Sequence, residues 1–192
     1  MDRRAPSRHS LLLLTLGIVA LGGCTKPPLA PRLAAGVGQA ASITVTSPAF
    51  GGGKAIPIDN TCDGKDLFPE LVISSPPDGT KSLLVIVEDP DTSSGTFTHM
   101  VAFGLSPELR KIPGGETLAG AGDDARYGLN DYQSVRYAGP CPPHGEMHRY
   151  QFRVIALDTM PKIAEGAPRA RVDEAIDGHI LGEGVLTGTF GH

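Results

Sequence analysis

His148-Arg149-Tyr150-Gln151-Phe152-Arg153-Val154-Ile155-Ala156-Leu157 is the stretch on which the fold turns. Within it His148, Tyr150, Phe152 and Val154 recur at every second position, with Arg149, Gln151 and Arg153 between them. A period of two belongs to a strand with one face in the core, because successive side chains point to opposite faces. Leu83-Leu84-Val85-Ile86-Val87 carries no polar alternation at all, which predicts a short strand buried on both faces. It runs into Glu88-Asp89-Pro90-Asp91, where Pro90 has no N–H for a ladder. The strand should therefore stop there, with the two aspartates on the exit turn.

Working outward, Phe97 to Phe103 reads as a third strand, with Phe97, His99, Val101 and Phe103 on one face. Ile43-Thr44-Val45-Thr46 alternates in the same way and places the start of the folded domain near Ser42. Val172, Ala175, Ile176, His179 and Ile180 instead follow a helical stripe. Gly182 and Gly184 are expected to stop that helix, and Gly184 to Phe190 to form a last extended segment. Composition agrees. The 192 residues include 25 Gly and 17 Pro, only 5% aromatic residues and no Trp, which argues against a helical bundle. At 40% hydrophobic and 20% charged residues there is material for one core. The residues thus predict a mainly β domain with one or two peripheral helices. A net charge of −4 lacks the basic excess of a nucleic-acid binder, so no nucleic-acid partner is expected.

The N-terminus has an organisation of its own. Arg3, Arg4 and Arg8 precede an apolar run from Leu11 to Leu21, which ends at Gly22-Gly23-Cys24. That run is about a dozen residues, short of the roughly 20 needed to span a bilayer, and it has the flanks of a secretory signal. Leu21-Gly22-Gly23-Cys24 resembles a bacterial lipobox, in which the Cys thiol receives a lipid and becomes the new N-terminus. The expectation is a signal peptide over 1–23, then lipidated Cys24 and a flexible tether over 24–41 carrying Pro27, Pro28 and Pro31, then the domain over 42–192. Membrane attachment would rest on the lipid, and Thr25 after Cys24 favours the outer membrane, facing the periplasm, by resemblance to bacterial lipoproteins. Cys62 and Cys141 then remain, and in an oxidising envelope an even pair is most simply a disulfide, the alternative being two separate buried thiols.

Chemistry is concentrated at the strand ends. The chain has no G-x-S-x-G, no H-E-x-x-H and no Walker loop. What remains is Asp89, Asp91, His99 and the run Gly139-Pro140-Cys141-Pro142-Pro143-His144-Gly145-Glu146-Met147-His148-Arg149-Tyr150. Imidazole N–H and phenol O–H groups donate to an anion, while a carboxylate fixes the tautomer or holds an imidazole protonated. Prolines would make a stiff wall. The same group contains no evident nucleophile with a base beside it, so a binding site is expected rather than an enzyme, and no cofactor.

These residues also carry a family resemblance. Asp89-Pro90-Asp91 with His99, and Gly139-Pro140-Cys141-Pro142-Pro143 followed by His148-Arg149-Tyr150, resemble the two signature segments of the phosphatidylethanolamine-binding protein family. Cys62-Asp63-Gly64-Lys65, Asn130-Asp131-Tyr132 and Gly178-His179-Ile180-Leu181 are similar to its bacterial YbhB/YbcL, Raf-kinase-inhibitor-like branch, over residues 43–191. The resemblance implies two packed antiparallel sheets with Greek-key connections and a C-terminal helix. It also implies a small surface pocket for anions, such as the phosphate of a lipid headgroup or of another phosphorylated ligand, lined by Asp89, His99, Pro142, His148 and Tyr150. In that reading Asp91 supports the turn and Arg149 pairs structurally. Thr92-Ser93-Ser94 stands where a Pro is usual, so a more open rim is expected. Two other functions compete. Cys141, His144 and His148 have ligand-like spacing that Asp89 would complete into the metal site of a hydrolase. The exposed loops would serve an inhibitor of a protease or of another protein.

Overall fold

The structure, a computed structural model, describes residues 40–192. The expected signal peptide, the expected lipidation at Cys24 and the expected tether up to residue 39 fall outside the described residues. Nine strands form two sheets. They are β1 (Ala41–Ser42), β2 (Val45–Thr46), β3 (Leu71–Ile73), β4 (Ser82–Asp89), β5 (Phe97–Leu105), β6 (Lys111–Ile112), β7 (Arg126–Tyr127), β8 (Met147–Leu157) and β9 (Ile180–Gly191). The helix α1 spans Arg169–Ile176.

The larger sheet has the order β1-β9-β8-β4-β5-β7 and the smaller β2-β3-β6. Every pairing is antiparallel except the two-residue contact of β1 with β9, which is parallel. Within the larger sheet β4, β5 and β7 are neighbours in sequence order, and β8 returns to the far flank of β4. That return is the Greek-key element. The mainly β architecture of two sheets and one helix is the expected one.

Packing follows from the strand patterns. β4 is buried along its whole length. Leu83, Val85 and Val87 join Phe152 and Val154 of β8 and Leu71, Ile73 and Ile112 of the smaller sheet in the main core. Leu84 and Ile86 turn to the other face and pack with Val101, Phe103, Ile155 and Leu157 under Val172 and Ile176 of α1. Three layers result, with β4 in the middle one. The run without polar alternation is explained by this position.

Two expectations are corrected. His99 does not share a face with Val101 and Phe103. The register of β4 against β5 shifts between Val87↔Met100 and Glu88↔Thr98, leaving His99 as the extra residue of a bulge. A bulge re-aims the side chains before it, and His99 packs edge-on against Tyr150, ring centroids 5.3 Å apart, on the face that also carries the main core. The helix also ends early, at Ile176, and Gly178 turns the chain with φ 76°. Ile180 starts β9 instead of ending a helix, and Gly182 and Gly184 lie inside that strand. They are small for a packing reason. A Cβ on Gly184 would stand 1.9 Å from the Ile43 carbonyl oxygen, where Ile43 N–H donates to Glu183 O at 2.9 Å.

Gly184→Ala is accordingly expected to lower stability by about 1–3 kcal/mol, the usual cost of overpacking. Gly52→Ala, whose Cβ would have nothing within 4 Å, should leave it unchanged. Thermal unfolding of the two variants beside the parent checks this, and equal melting temperatures would contradict the close approach.

Candidate functional site

β4 and β8 are antiparallel neighbours, so the end of one and the start of the other meet at the same edge of the sheet, and the β4–β5 hairpin brings the start of β5 there too. This places Asp89, His148 and His99 together. A cavity of about 340 Å³ opens between them, and Pro142 and Pro143 form one wall. Asp91, Thr92 and Ser93 from the β4–β5 turn, Phe97, Tyr132 and Glu146 complete the rim.

Asp89 is 2% exposed and is held on both oxygens. Its Oδ1 accepts the Asp91 backbone N–H at 2.8 Å, and its Oδ2 lies 2.7 Å from His148 Nδ1. The other ring nitrogen of His148, Nε2, lies 3.0 Å from Glu146 Oε2. A carboxylate on each side places both nitrogens to donate, which favours the imidazolium form of His148. The hydrogen bond to Asp89 raises its pKa most, against the opposing effect of burial, and Glu146 adds to the rise.

His99 is the opposite case. Burial pushes its pKa down, and its Nδ1–H donates to the Ala138 carbonyl at 2.7 Å. The neutral ring then keeps an unprotonated Nε2, which has no hydrogen-bond partner on a residue that lines the cavity. Tyr150, which the resemblance places in the lining, is fully buried behind His99 and is not among the residues around the cavity, and its hydroxyl is directed to the Asp89 carboxylate. Burial and then the charge of Asp89 raise its pKa, so it stays a phenol with a proton to give.

Asp91 and Arg149 pair beside the site. The backbone N–H, Nε and Nη2 of Arg149 donate to the Asp91 carboxylate at 2.8, 2.9 and 2.6 Å. Those hydrogen bonds hold the Asp91 carboxyl down to about 2.

The proline wall is fastened from behind. Cys62 and Cys141 form a disulfide with Cα atoms 5.5 Å apart. The Cys62 N–H donates to Pro140 O at 3.1 Å, and His192 Nε2 donates to Pro142 O at 2.8 Å. Cys141 is therefore not a free thiolate, and His144 stacks on His192 with centroids 4.2 Å apart, away from His148. Among the described residues no three His, Cys, Asp or Glu side chains are grouped to hold a metal ion.

Sequence reasoning named Glu146 only as one member of the 139–150 run, Tyr132 only within a family-like stretch and Phe97 only as a strand residue, and assigned none of the three to the site they line. Glu146 stands two residues before His148 in a turn, a spacing that carries no signal by itself. Tyr132 reaches the cavity from the 130–138 loop, which Asn130 organises by donating to Arg136 O and accepting from Ser134 N–H, both at 3.0 Å.

The contrast between the two histidines is measurable. His148 is expected to titrate above, and His99 below, the usual value near 6.5 in imidazole NMR. A raised folded-state pKa stabilises the fold fully below the unfolded value, and that contribution is lost as pH rises through the folded value. The stability advantage of the parent over His148→Gln should thus shrink from acid to alkaline pH. Asp89→Asn should lower the His148 pKa. An unmoved titration in that variant would contradict the pairing.

Comparison with known proteins bears on the family and the fold. The family described as phosphatidylethanolamine-binding protein matches residues 46–191. The UPF0098 protein PH1269 of Pyrococcus horikoshii is 37% identical over 191 residues, covering 96% of this chain and 91% of its own. LppC of Mycobacterium tuberculosis, named as a candidate lipoprotein, is 32% identical over 199 residues, covering 95% of this chain and 96% of its own. The crystal structure of CT736, a phosphatidylethanolamine-binding protein homologue from Chlamydia trachomatis, superposes with a TM-score of 0.71 at 35% identity over 80% of this chain and 99% of that one. For YbcL of E. coli, described as a member of the mammalian family, the TM-score is 0.73 at 26% identity over 79% of this chain and 99% of that one. On the match, the relatives and the fold together, this chain belongs to the phosphatidylethanolamine-binding protein family.

Proposed function

We propose that this protein is a lipid-anchored envelope protein whose pocket binds a small anion or the phosphate of a phosphorylated ligand. The observation that carries the reading is the His148 ring, which lines the cavity beside Pro142 and is held through Nδ1 by the buried Asp89 carboxylate at 2.7 Å. Phosphate-type oxygens suit the donor groups around the cavity, namely the His148 ring with Thr92 and Ser93 on the rim, and the stiff wall at Pro142 and Pro143 needs little ordering when a ligand arrives. Among the described residues that line the cavity, the polar groups are arranged to hold an oxyanion, and the reading is one of binding.

The anchor rests on Leu21-Gly22-Gly23-Cys24 and on a relative that carries a lipoprotein name. An outer-membrane position, facing the periplasm, follows from Thr25.

Isothermal titration of the full chain in detergent with inorganic phosphate and with glycerophosphoethanolamine tests the pocket. Binding is expected, with a loss of about tenfold or more in His148→Ala, in line with removal of a charged hydrogen-bond donor. Heat from neither ligand would sink the reading. For the anchor, Cys24→Ala should move the protein from the membrane fraction to the soluble fraction. Unchanged membrane partition in that variant would count against lipidation.

A further inference from the structure

Glu146 has a place in the pocket that the family resemblance does not account for. It closes a turn in which its N–H donates to Pro143 O at 3.0 Å, and Gly145 just before it has φ 87°. Its side chain is 58% exposed, so it is free to swing. Among the described residues its carboxylate makes one hydrogen bond, to His148 Nε2 at 3.0 Å. His148 Nδ1 is already committed to Asp89, so Nε2–H is the one proton of this ring available to a ligand. A carboxylate of the protein therefore stands where an anion oxygen would accept that proton.

We propose that Glu146 is a specificity-determining residue, an internal ligand of the anion subsite on His148 that any incoming anion must displace. This rests on the anion-binding reading above and narrows its ligand class. A tethered carboxylate presents itself to His148 at an effective concentration of at least about millimolar. A free carboxylate offers His148 only what Glu146 already supplies, so it gains nothing by the exchange. A tetrahedral oxyanion brings further oxygens. While one of them meets His148, the others can be met by the Thr92 and Ser93 groups that line the same cavity. Glu146 thus turns a general anion site into one that rejects carboxylates and admits phosphate-type oxyanions. The remaining charges around the ring do not perform this sorting. Asp91 is neutralised by Arg149, Asp89 is buried on the Nδ1 side, and His99 is neutral.

The test titrates inorganic phosphate and acetate into the full chain and into Glu146→Gln and Glu146→Asp. The parent should bind phosphate and not acetate. Glu146→Gln should bind phosphate about tenfold tighter or more and acquire acetate binding, as expected when a competing charge leaves a binding site. Glu146→Asp keeps the charge but loses one methylene of reach, and it should follow the Gln variant. Three results would overturn the proposal: acetate binding to the parent as well as phosphate does, phosphate affinity in Glu146→Gln within about twofold of the parent, or an Asp variant that matches the parent while the Gln variant tightens. The last would mean a through-space charge effect without displacement. Phosphate binding to the parent with no response at position 146 removes this inference and leaves the anion pocket standing. Absence of phosphate binding in all three proteins removes both.

Discussion

Burying a carboxylate costs several kcal/mol unless it is paired, and β4 buries two in succession. The strand lies in the middle layer, so its last residues, Glu88 and Asp89, enter the interior on opposite faces at 6% and 2% exposure. Each must find a partner on its own side. Glu88 meets Arg153 of β8 at 3.1 Å and Arg169 at the start of α1. Burial alone would raise the Glu88 pKa, and the two guanidiniums, Arg169 first, overcome that and hold it low. Asp89, on the other face, takes His148 and the Asp91 N–H. One pair fastens the helix to the sheet. The other builds the pocket.

The parts of this arrangement that were legible in the sequence are those set by period and burial. β4 and β8 could be read because their side-chain patterns follow from the layers they occupy, and both run where the patterns place them. The bulge at His99 was not legible. A bulge is a property of the pairing between two strands, and no residue of β5 by itself announces where the partner slips. The helix boundary failed for a similar reason. The stripe from Val172 to Ile180 continues at helical spacing, but Ile180 is held by β8 as the first residue of β9, and tertiary pairing overrides the local period. Gly182 and Gly184 looked like helix stops, whereas their small size serves the approach of Ala41 and Ile43 to β9. In the site, Asp89, His99, Pro142 and His148 came through the family resemblance of the two motifs, while Tyr132 lies in a loop between them whose path no local pattern discloses.

The cross-link has a matching logic. Cys62 and Cys141 are 79 residues apart, and closing so long a loop removes about 4 kcal/mol of unfolded-state entropy in the chain-entropy account. Its position matters as much as its length. Cys141 directly precedes Pro142, so the bridge fixes the wall of the cavity to the 61–66 loop, where the Gly139 N–H also donates to Asp66 Oδ1 at 2.5 Å. His192 holds the same wall from the other side by donating to Pro142 O, while its other ring nitrogen meets Asp63 at 2.7 Å. A wall tied at both ends loses little freedom when a ligand binds, and preorganisation of this kind raises affinity without adding contacts.

The charges around the cavity then decide what kind of recognition is available. Asp89 and Glu146 flank one imidazolium, Asp91 is matched by Arg149, and His99 is neutral, so the pocket carries more negative than positive charge. The chain as a whole is also acidic, at −4. Long-range attraction therefore does not draw anions to this site, and association gains none of the acceleration that a positive cleft provides. Selectivity has to come at short range, from the direction of a few donors in a fixed frame. The His148 proton is such a donor, and the long-range field that would favour every anion alike is cancelled by the same carboxylates that hold His148 in place.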